Sequence, residues 1–209
     1  MAVVVDSLEQ VWRAWAELGA SLDDEGWNTP TRLDGWTVKD VYAHYGPALT
    51  GGLAAVEGPD VDKPLTHSTA AELLREFQRP GGVAHTLADT IRDTAVEQSR
   101  AQSADDVLRP FTETAPLLVA AIRENSLDRR IDYLGAAVLT AHEGLRIALM
   151  EGVVHYLDIA DALGLPAPGP VGGEPLTETV HLLADLADPV GFVEAASGRG
   201  TAQVLPVLR

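Results

Sequence analysis

The sequence predicts an all-α protein, a four-helix bundle with extra short helices and a small C-terminal helical appendage. Three observations favour this class: apolar residues recur at helical spacing in the long segments, capping pairs precede several of them, and no alternating run is long enough to predict a sheet. A chain of 209 residues fits one domain better than two. We therefore assign residues 1–165 to the bundle and residues 166–209 to a linker and the appendage.

The first two helices are predicted from periodicity and caps. Apolar residues at helical spacing indicate a first helix over residues 6–24, with Ser7 and Gln10 as its capping box. A turn-rich connector follows, and Thr37 is expected to cap a second helix that runs toward Glu57. Proline inside that helix, at position 47, predicts a kink.

The rest of the chain continues the helical pattern. Capping residues, proline and glycine mark where each further helix should begin and end. The predicted segments are 68–78, 83–101, a buried helix over 116–122 preceded by a cap at Ser103, a strongly apolar helix capped by Thr140 and Glu143 that ends at Leu163, and C-terminal helices near 177–187 and 190–196.

Composition excludes several classes of function. The formal net charge of -16, with no cluster of basic and aromatic residues, opposes nucleic-acid binding. The longest apolar stretch, residues 115–122, is far shorter than a bilayer-spanning helix, and no secretory signal is recognisable, so we expect a cytoplasmic protein. Without cysteine, the strong metal ligands left are imidazole and carboxylate, and a thiol nucleophile would have to come from a cosubstrate.

One set of residues predicts a metal site. Glu151 and His155 are four residues apart, so they project from nearly the same side of the last long helix. His44 lies on the second helix, which a bundle can bring against the last one. A solvent-exposed hydrogen bond would explain the Glu151 and His155 pair alone, but its apolar flanks favour a metal. Three ligands leave positions open for substrate, with Zn²⁺ favoured over Fe²⁺, Ni²⁺ and Mn²⁺.

Two segments carry a family resemblance. Residues 27–44, WNTPTRLDGWTVKDVYAH, resemble the N-terminal signature of the mycothiol-dependent maleylpyruvate isomerase family, within the DinB-like superfamily. Residues 146–164, RIALMEGVVHYLDIADALG, are similar to its second signature, in the right order and about 100 residues later. The resemblance spans most of residues 1–165 and implies a DinB-like bundle.

The resemblance also implies a chemistry. The family's metal ligands fall on His44, Glu151 and His155. It implies a metal-dependent S-transferase or isomerase in an actinobacterial cytosol, in which the thiolate of mycothiol, bound to the metal, attacks a small electrophilic substrate. Fuller family members carry a further α/β domain, whereas only about 40 residues follow the linker here, so we expect thiol transfer, isomerisation or detoxification and leave isomerase activity itself open.

Other residues near the signatures are candidates for supporting roles. Asp158, three residues after His155, could orient the His155 imidazole, or it could simply lie on the surface. Arg146 could bind an anionic substrate, or it could form a surface ion pair. Trp36 and Tyr45 could line the pocket of the thiol cosubstrate, with a core position as the alternative for Trp36. Asp40 is better explained as a helix cap.

Two further functions stay open at this stage. The same pocket without the thiol would suit a metal-dependent hydrolase or a biosynthetic cyclase. A bundle that has lost its metal would instead bind an apolar ligand or a partner helix without catalysis. Apolar residues between positions 105 and 125 would permit a homodimer.

Overall fold

The computed structural model describes residues 2–200 and 206–207, and within them the chain is predominantly helical. A π-helical turn covers Pro110–Thr114, and a short 3-10 turn covers Gly169–Val171. The helices are α1 (Ala2–Ser21), α2 (Asp24–Trp27), α3 (Val38–Glu57), α4 (Ala70–Gln78), α5 (Val83–Thr86), α6 (Ala88–Ala101), α7 (Ala104–Arg109), α8 (Ala115–Glu124), α9 (Ala141–Ala162), α10 (Glu174–Leu186) and α11 (Pro189–Ala196), and the strands are β1 (Arg130–Tyr133) and β2 (Ala137–Thr140).

Four long elements form the predicted bundle. Helix α1 packs against α8 and α9, and α3 packs against the same two helices, with α7 and the π-helical turn continuing the α8 element. Aromatic side chains fill the centre, where Trp15 stacks on Phe111 with ring centroids 4.9 Å apart and meets Tyr42 edge-on at 4.7 Å. The all-α class is therefore confirmed.

Hydrogen bonds from buried aromatic residues fix how α1, α3 and α9 meet. Trp15 Nε1 donates to the carbonyl of Gly152 at 2.9 Å. Trp12 Nε1 donates to the hydroxyl of Tyr45 at 2.9 Å, and that hydroxyl donates to the carbonyl of Ala148 at 2.7 Å. Since buried polar groups are costly when unpaired, these bonds specify the register of the three helices that surround the candidate site.

Several predicted helix starts are confirmed. Thr37 and Asp40 form a reciprocal capping box at the start of α3, and Ser103 does the same at α7 with the aspartate three residues later. Thr140 caps α9, but its partner behaves differently: the Glu143 carboxylate accepts a hydrogen bond from the backbone N–H of Ala70 at 2.7 Å. Glu143 therefore links α9 to the start of α4.

Two predictions about helices are corrected by the structure. The first helix begins at Ala2, so Ser7 lies inside it, 2% exposed, and its Oγ has no hydrogen-bond partner among the described residues. The valines before Ser7 extend the apolar face, which outweighs the local capping pattern. The predicted helix over 83–101 is divided at Leu87 into α5 and α6.

The prediction that the chain contains no sheet is also corrected. Strands β1 and β2 pair antiparallel, with Arg130 opposite Thr140 and Tyr133 opposite Ala137. Each strand has only four residues, and the first three of β2 are all buried, so the alternation expected of a half-exposed strand is missing. This hairpin packs on α9 beside the site.

The C-terminal segment is helical, as predicted, and it packs closely on the bundle. Helix α10 contacts α1, α4 and α9. Leu182 and Leu186 of α10 join a second apolar cluster with side chains of α4, β2 and α9. Helix α10 thus packs against the bundle rather than projecting from it. Within the described residues, no helix has the length and apolar character needed to span a bilayer.

Candidate metal centre

The three predicted metal ligands lie together between α3 and α9. His44 is on α3, one turn after Asp40, and Glu151 and His155 are one turn apart on α9. One donor atom from each of the three side chains lies within 4.8 Å of the other two. The imidazoles of His44 and His155 meet edge-on, with ring centroids 5.2 Å apart. Bundle packing has therefore brought together residues more than 100 positions apart in sequence.

The spacing of these donors fits a divalent ion. His155 Nε2 lies 3.3 Å from Glu151 Oε2. Two ligand atoms held at about 2.0–2.2 Å from a tetrahedral zinc ion are about 3.3–3.5 Å apart. The distance between His155 Nε2 and Glu151 Oε2 is therefore already the one that zinc requires. Two imidazole nitrogens and one carboxylate oxygen suit Zn²⁺, Fe²⁺ and similar ions, and three protein ligands leave a coordination position for another molecule.

Asp158 supports the site through His155. Its Oδ2 lies 2.9 Å from His155 Nδ1, which leaves His155 Nε2 to face Glu151. A carboxylate behind a ligating imidazole is the usual arrangement in metal proteins, because it fixes the ring orientation and raises the basicity of the ligand. Arg32, which was not among the predicted site residues, donates from Nε to Asp158 Oδ1 at 2.7 Å.

The electrostatics of the cluster separate the two histidines. Burial, and then the charge of His155, lower the pKa of His44 to about 4. Burial opposes protonation of His155 as well, but hydrogen bonds to Asp158 and Glu151 outweigh it and raise the pKa of His155 to about 9. Burial likewise opposes ionisation of Glu151, yet the hydrogen bond and charge of His155 leave the pKa of Glu151 below its usual value. Near neutral pH, these pKa shifts favour a single proton on the metal-free cluster, at His155.

Two aromatic residues lie near the cluster. The Trp36 ring lies 4.9 Å from the His44 ring and 6.3 Å from the His155 ring, measured between centroids, and Trp36 Nε1 has no hydrogen-bond partner among the described residues. Tyr133, on the hairpin that the sequence did not reveal, is the second. Burial, and then the charge of Glu151, raise the pKa of Tyr133, which places its phenol within electrostatic range of that carboxylate.

Other candidates are engaged elsewhere. The Tyr45 side chain is buried, and its hydroxyl is used by Trp12 and Ala148, so it offers no free polar group to a cosubstrate. Arg146 forms an ion pair within α9 with Glu143 at 3.2 Å, and a second one with Asp185 at 3.3 Å connects α9 to α10.

Helix geometry explains the position of Arg146. It lies five residues before Glu151, or about 140° around the helix, and therefore points away from the cluster.

Asp40 is buried and accepts hydrogen bonds from the backbone N–H and the hydroxyl of Thr37, both at 2.7 Å. Asp40 therefore acts as a helix cap, as predicted. It stabilises the first turn of α3, and His44 follows four residues later.

The helical bundle and its His-Glu-His cluster define a class: helical-bundle proteins with a candidate divalent-metal centre between two core helices. Comparison with protein families is more specific. The model of the mycothiol maleylpyruvate isomerase N-terminal domain matches residues 8–160, and the chain belongs to this family, consistent with the DinB-like superfamily. The match covers the first signature, residues 146–160 of the second, and all three cluster residues. No curated protein and no solved structure gave a significant match.

Proposed function

We propose that this protein is a metal-dependent enzyme that uses mycothiol as a thiol cosubstrate, acting on a small electrophilic substrate as an S-transferase or isomerase in the cytoplasm. The observation that carries the proposal is the convergence of His44, Glu151 and His155 donor atoms within 4.8 Å, inside a segment that belongs to a mycothiol-associated family. The chain has no cysteine of its own, so the thiol nucleophile would come from the cosubstrate.

Each residue of the cluster has its own role in the proposed metal site. A divalent ion, most readily Zn²⁺, would lower the pKa of a thiol bound to it and so provide a nucleophile at neutral pH. His44 Nε2 or Nδ1, Glu151 and His155 Nε2 would hold the ion, and Asp158 keeps the His155 ring in the orientation that this needs. The low pKa of His44, about 4, means that this imidazole is neutral and ready to bind a metal at physiological pH.

Residues around the cluster would shape the pocket. Trp36 closes one side with an apolar face against His44, which reduces access of water to the nucleophile. The phenol of Tyr133 is protonated at neutral pH, as an ordinary tyrosine is, and burial raises its pKa further. It can therefore donate a hydrogen bond to an oxygen of the substrate, and this makes Tyr133 the residue to vary first when substrate binding is studied.

A spectroscopic experiment tests thiol binding without knowledge of the substrate. The protein is loaded with Co²⁺ and titrated with mycothiol, and a thiolate-to-cobalt charge-transfer band is expected in the near ultraviolet. S-methylated mycothiol is the matched control and should give no such band. If mycothiol also gives no band while cobalt is bound, mycothiol is not a ligand, and the thiol-independent hydrolase or cyclase becomes the better hypothesis.

A turnover assay extends this test to catalysis. Conjugation of mycothiol with 1-chloro-2,4-dinitrobenzene, a general electrophile, is followed with the wild type and with His155→Ala. The wild type should accelerate the reaction only in the presence of metal, and His155→Ala should reduce the rate by at least about a hundredfold, since it removes a ligand of the ion. Equal rates for both proteins would contradict a role for the cluster in thiol transfer.

A further inference from the structure

We propose that Arg32 is a positioning residue of the metal centre, acting through Asp158 to hold the His155 imidazole. Three contacts connect it to the cluster: Arg32 Nε to Asp158 Oδ1 at 2.7 Å, Asp158 Oδ2 to His155 Nδ1 at 2.9 Å, and His155 Nε2 to Glu151 Oε2 at 3.3 Å. Each oxygen of Asp158 therefore has one partner. The proposal rests on the proposed metal site and adds a residue from a separate segment of the chain.

The connector before α3 holds Arg32 in place. Pro30 and Thr37 form an isolated antiparallel bridge, and the backbone N–H of Thr31 donates to the carbonyl of Trp36 at 2.8 Å. Gly35 takes a φ of +76° in the turn between them, a conformation that favours glycine. Leu33 packs against the main apolar core. The loop that presents Arg32 is thus closed by its own hydrogen bonds and anchored to the bundle.

The same loop also positions Trp36 against His44. Arg32 and Trp36 lie on the two sides of this turn, and they reach different histidines of the cluster: Arg32 reaches His155 through Asp158, and Trp36 contacts the His44 ring. The connector therefore acts on both imidazoles from outside α3 and α9, on His155 through Asp158 and on His44 by direct contact. A loop with two such contacts is placed to fix the orientation of both rings.

Burial distinguishes this ion pair from an ordinary surface pair. The Asp158 side chain is only 4% exposed, whereas that of Arg32 is 54% exposed. An exposed guanidinium contributes little to stability through an ion pair, so removing it should leave the fold intact. The buried carboxylate would lose the partner of Oδ1 and be free to rotate away from His155. Arg32 should therefore affect metal affinity much more than stability.

A double-mutant cycle on metal affinity tests the proposal. Zn²⁺ affinity is measured by competition with a chromophoric chelator for the wild type, Arg32→Gln, Asp158→Asn and the double variant. Loss of a group that orients a ligand typically weakens metal binding about 10- to 100-fold. We expect that range for Asp158→Asn, a loss of about three- to tenfold for Arg32→Gln, and no further loss in the double variant beyond Asp158→Asn. Arg13→Gln, which breaks an exposed pair with Glu9, is the matched control and should bind Zn²⁺ as the wild type does.

The outcomes separate this proposal from the metal site itself. Wild-type affinity in Arg32→Gln, or additive losses in the double variant, would overturn the role of Arg32 while leaving the metal centre standing. If the wild type bound no Zn²⁺, the proposed function would fail first. The positioning role is then judged on the metal-free protein, where ¹⁵N spectra of the His155 ring should show the Nδ1 proton exchanging with water faster in Arg32→Gln than in the wild type; unchanged exchange would overturn it.

Discussion

At the scale of single residues, the two nitrogens of His155 have different partners. Nδ1 is bound by Asp158 and Nε2 faces Glu151, so two carboxylates stabilise the protonated ring and raise its pKa to about 9. Among the described residues no carboxylate is hydrogen-bonded to His44, and burial lowers its pKa to about 4. A metal can replace only a proton that is present, so binding should displace the proton of His155 and none from His44.

This difference predicts the number of protons released. At about pH 6, which lies well below the pKa of His155 and above that of His44, binding of Zn²⁺ should release about one proton per ion. Calorimetry in buffers of different ionisation enthalpy measures this number. The apparent affinity should rise about tenfold per pH unit as pH increases toward the pKa of His155. Release of two protons, or of none, would contradict this assignment.

Much of the site could be predicted from local sequence. The four-residue spacing of Glu151 and His155 and the position of Asp158 depend only on helix geometry, and His44 entered through its flanking signature. Arg32 could not be predicted, because it reaches Asp158 across 126 positions. Tyr45 illustrates the opposite limit: it follows His44 directly, and one residue rotates a helix by about 100°, so its side chain points into the core.

At the scale of elements, α9 lies close to α1 and α3 at Gly152, next to Glu151. A Cβ at this position would lie 2.7 Å from the Tyr45 hydroxyl and 3.0 Å from Val11 Cγ1. Both distances are too short for an unstrained contact, and the hydroxyl is fixed by two hydrogen bonds. Glycine at 152 thus sets the separation of the helices that carry the metal ligands.

Replacing this glycine should therefore destabilise the protein. Gly152→Ala gains up to about 1 kcal/mol of helix propensity, but overpacking costs about 1–3 kcal/mol, so we expect a net loss of about 1–2 kcal/mol in denaturant unfolding. Gly51→Ala on α3 is the matched control, since a Cβ there would meet nothing within 4 Å. It should be neutral or stabilising. Equal effects of the two substitutions would contradict the close approach at Gly152.

Element boundaries that depend on neighbours in sequence could be predicted, whereas those that depend on tertiary packing could not. Caps at Thr37 and Ser103 were predicted because they involve neighbours in sequence. The hairpin escaped prediction, since its strands have four residues each and its stability comes from packing on α9 and from Thr66, whose backbone N–H donates to the carbonyl of Val138 at 3.0 Å. Tyr133, which this hairpin brings near Glu151, was missed for the same reason.

At the scale of the whole molecule, α10 shares a core with α4 and α9. Leu182 is 1% exposed within this cluster. Leu182→Ala should therefore lower the free energy of unfolding of the entire protein by about 2–4 kcal/mol, in one cooperative transition followed by circular dichroism. Val180→Ala on the same helix is the control, since Val180 is 52% exposed and should change stability by at most about 0.5 kcal/mol. A separate, early transition in Leu182→Ala would show instead that α10 unfolds independently.

The central claim is that His44, Glu151 and His155 together hold one divalent ion. The direct measurement is metal content by mass spectrometry after the protein is loaded with Zn²⁺ and dialysed. The wild type should retain one ion per chain, and His155→Ala should retain almost none while keeping its helical circular dichroism. His181→Ala, at an imidazole that is 64% exposed on α10, is the control and should retain one ion. Zinc retained by His155→Ala, or none retained by the wild type, would contradict the claim.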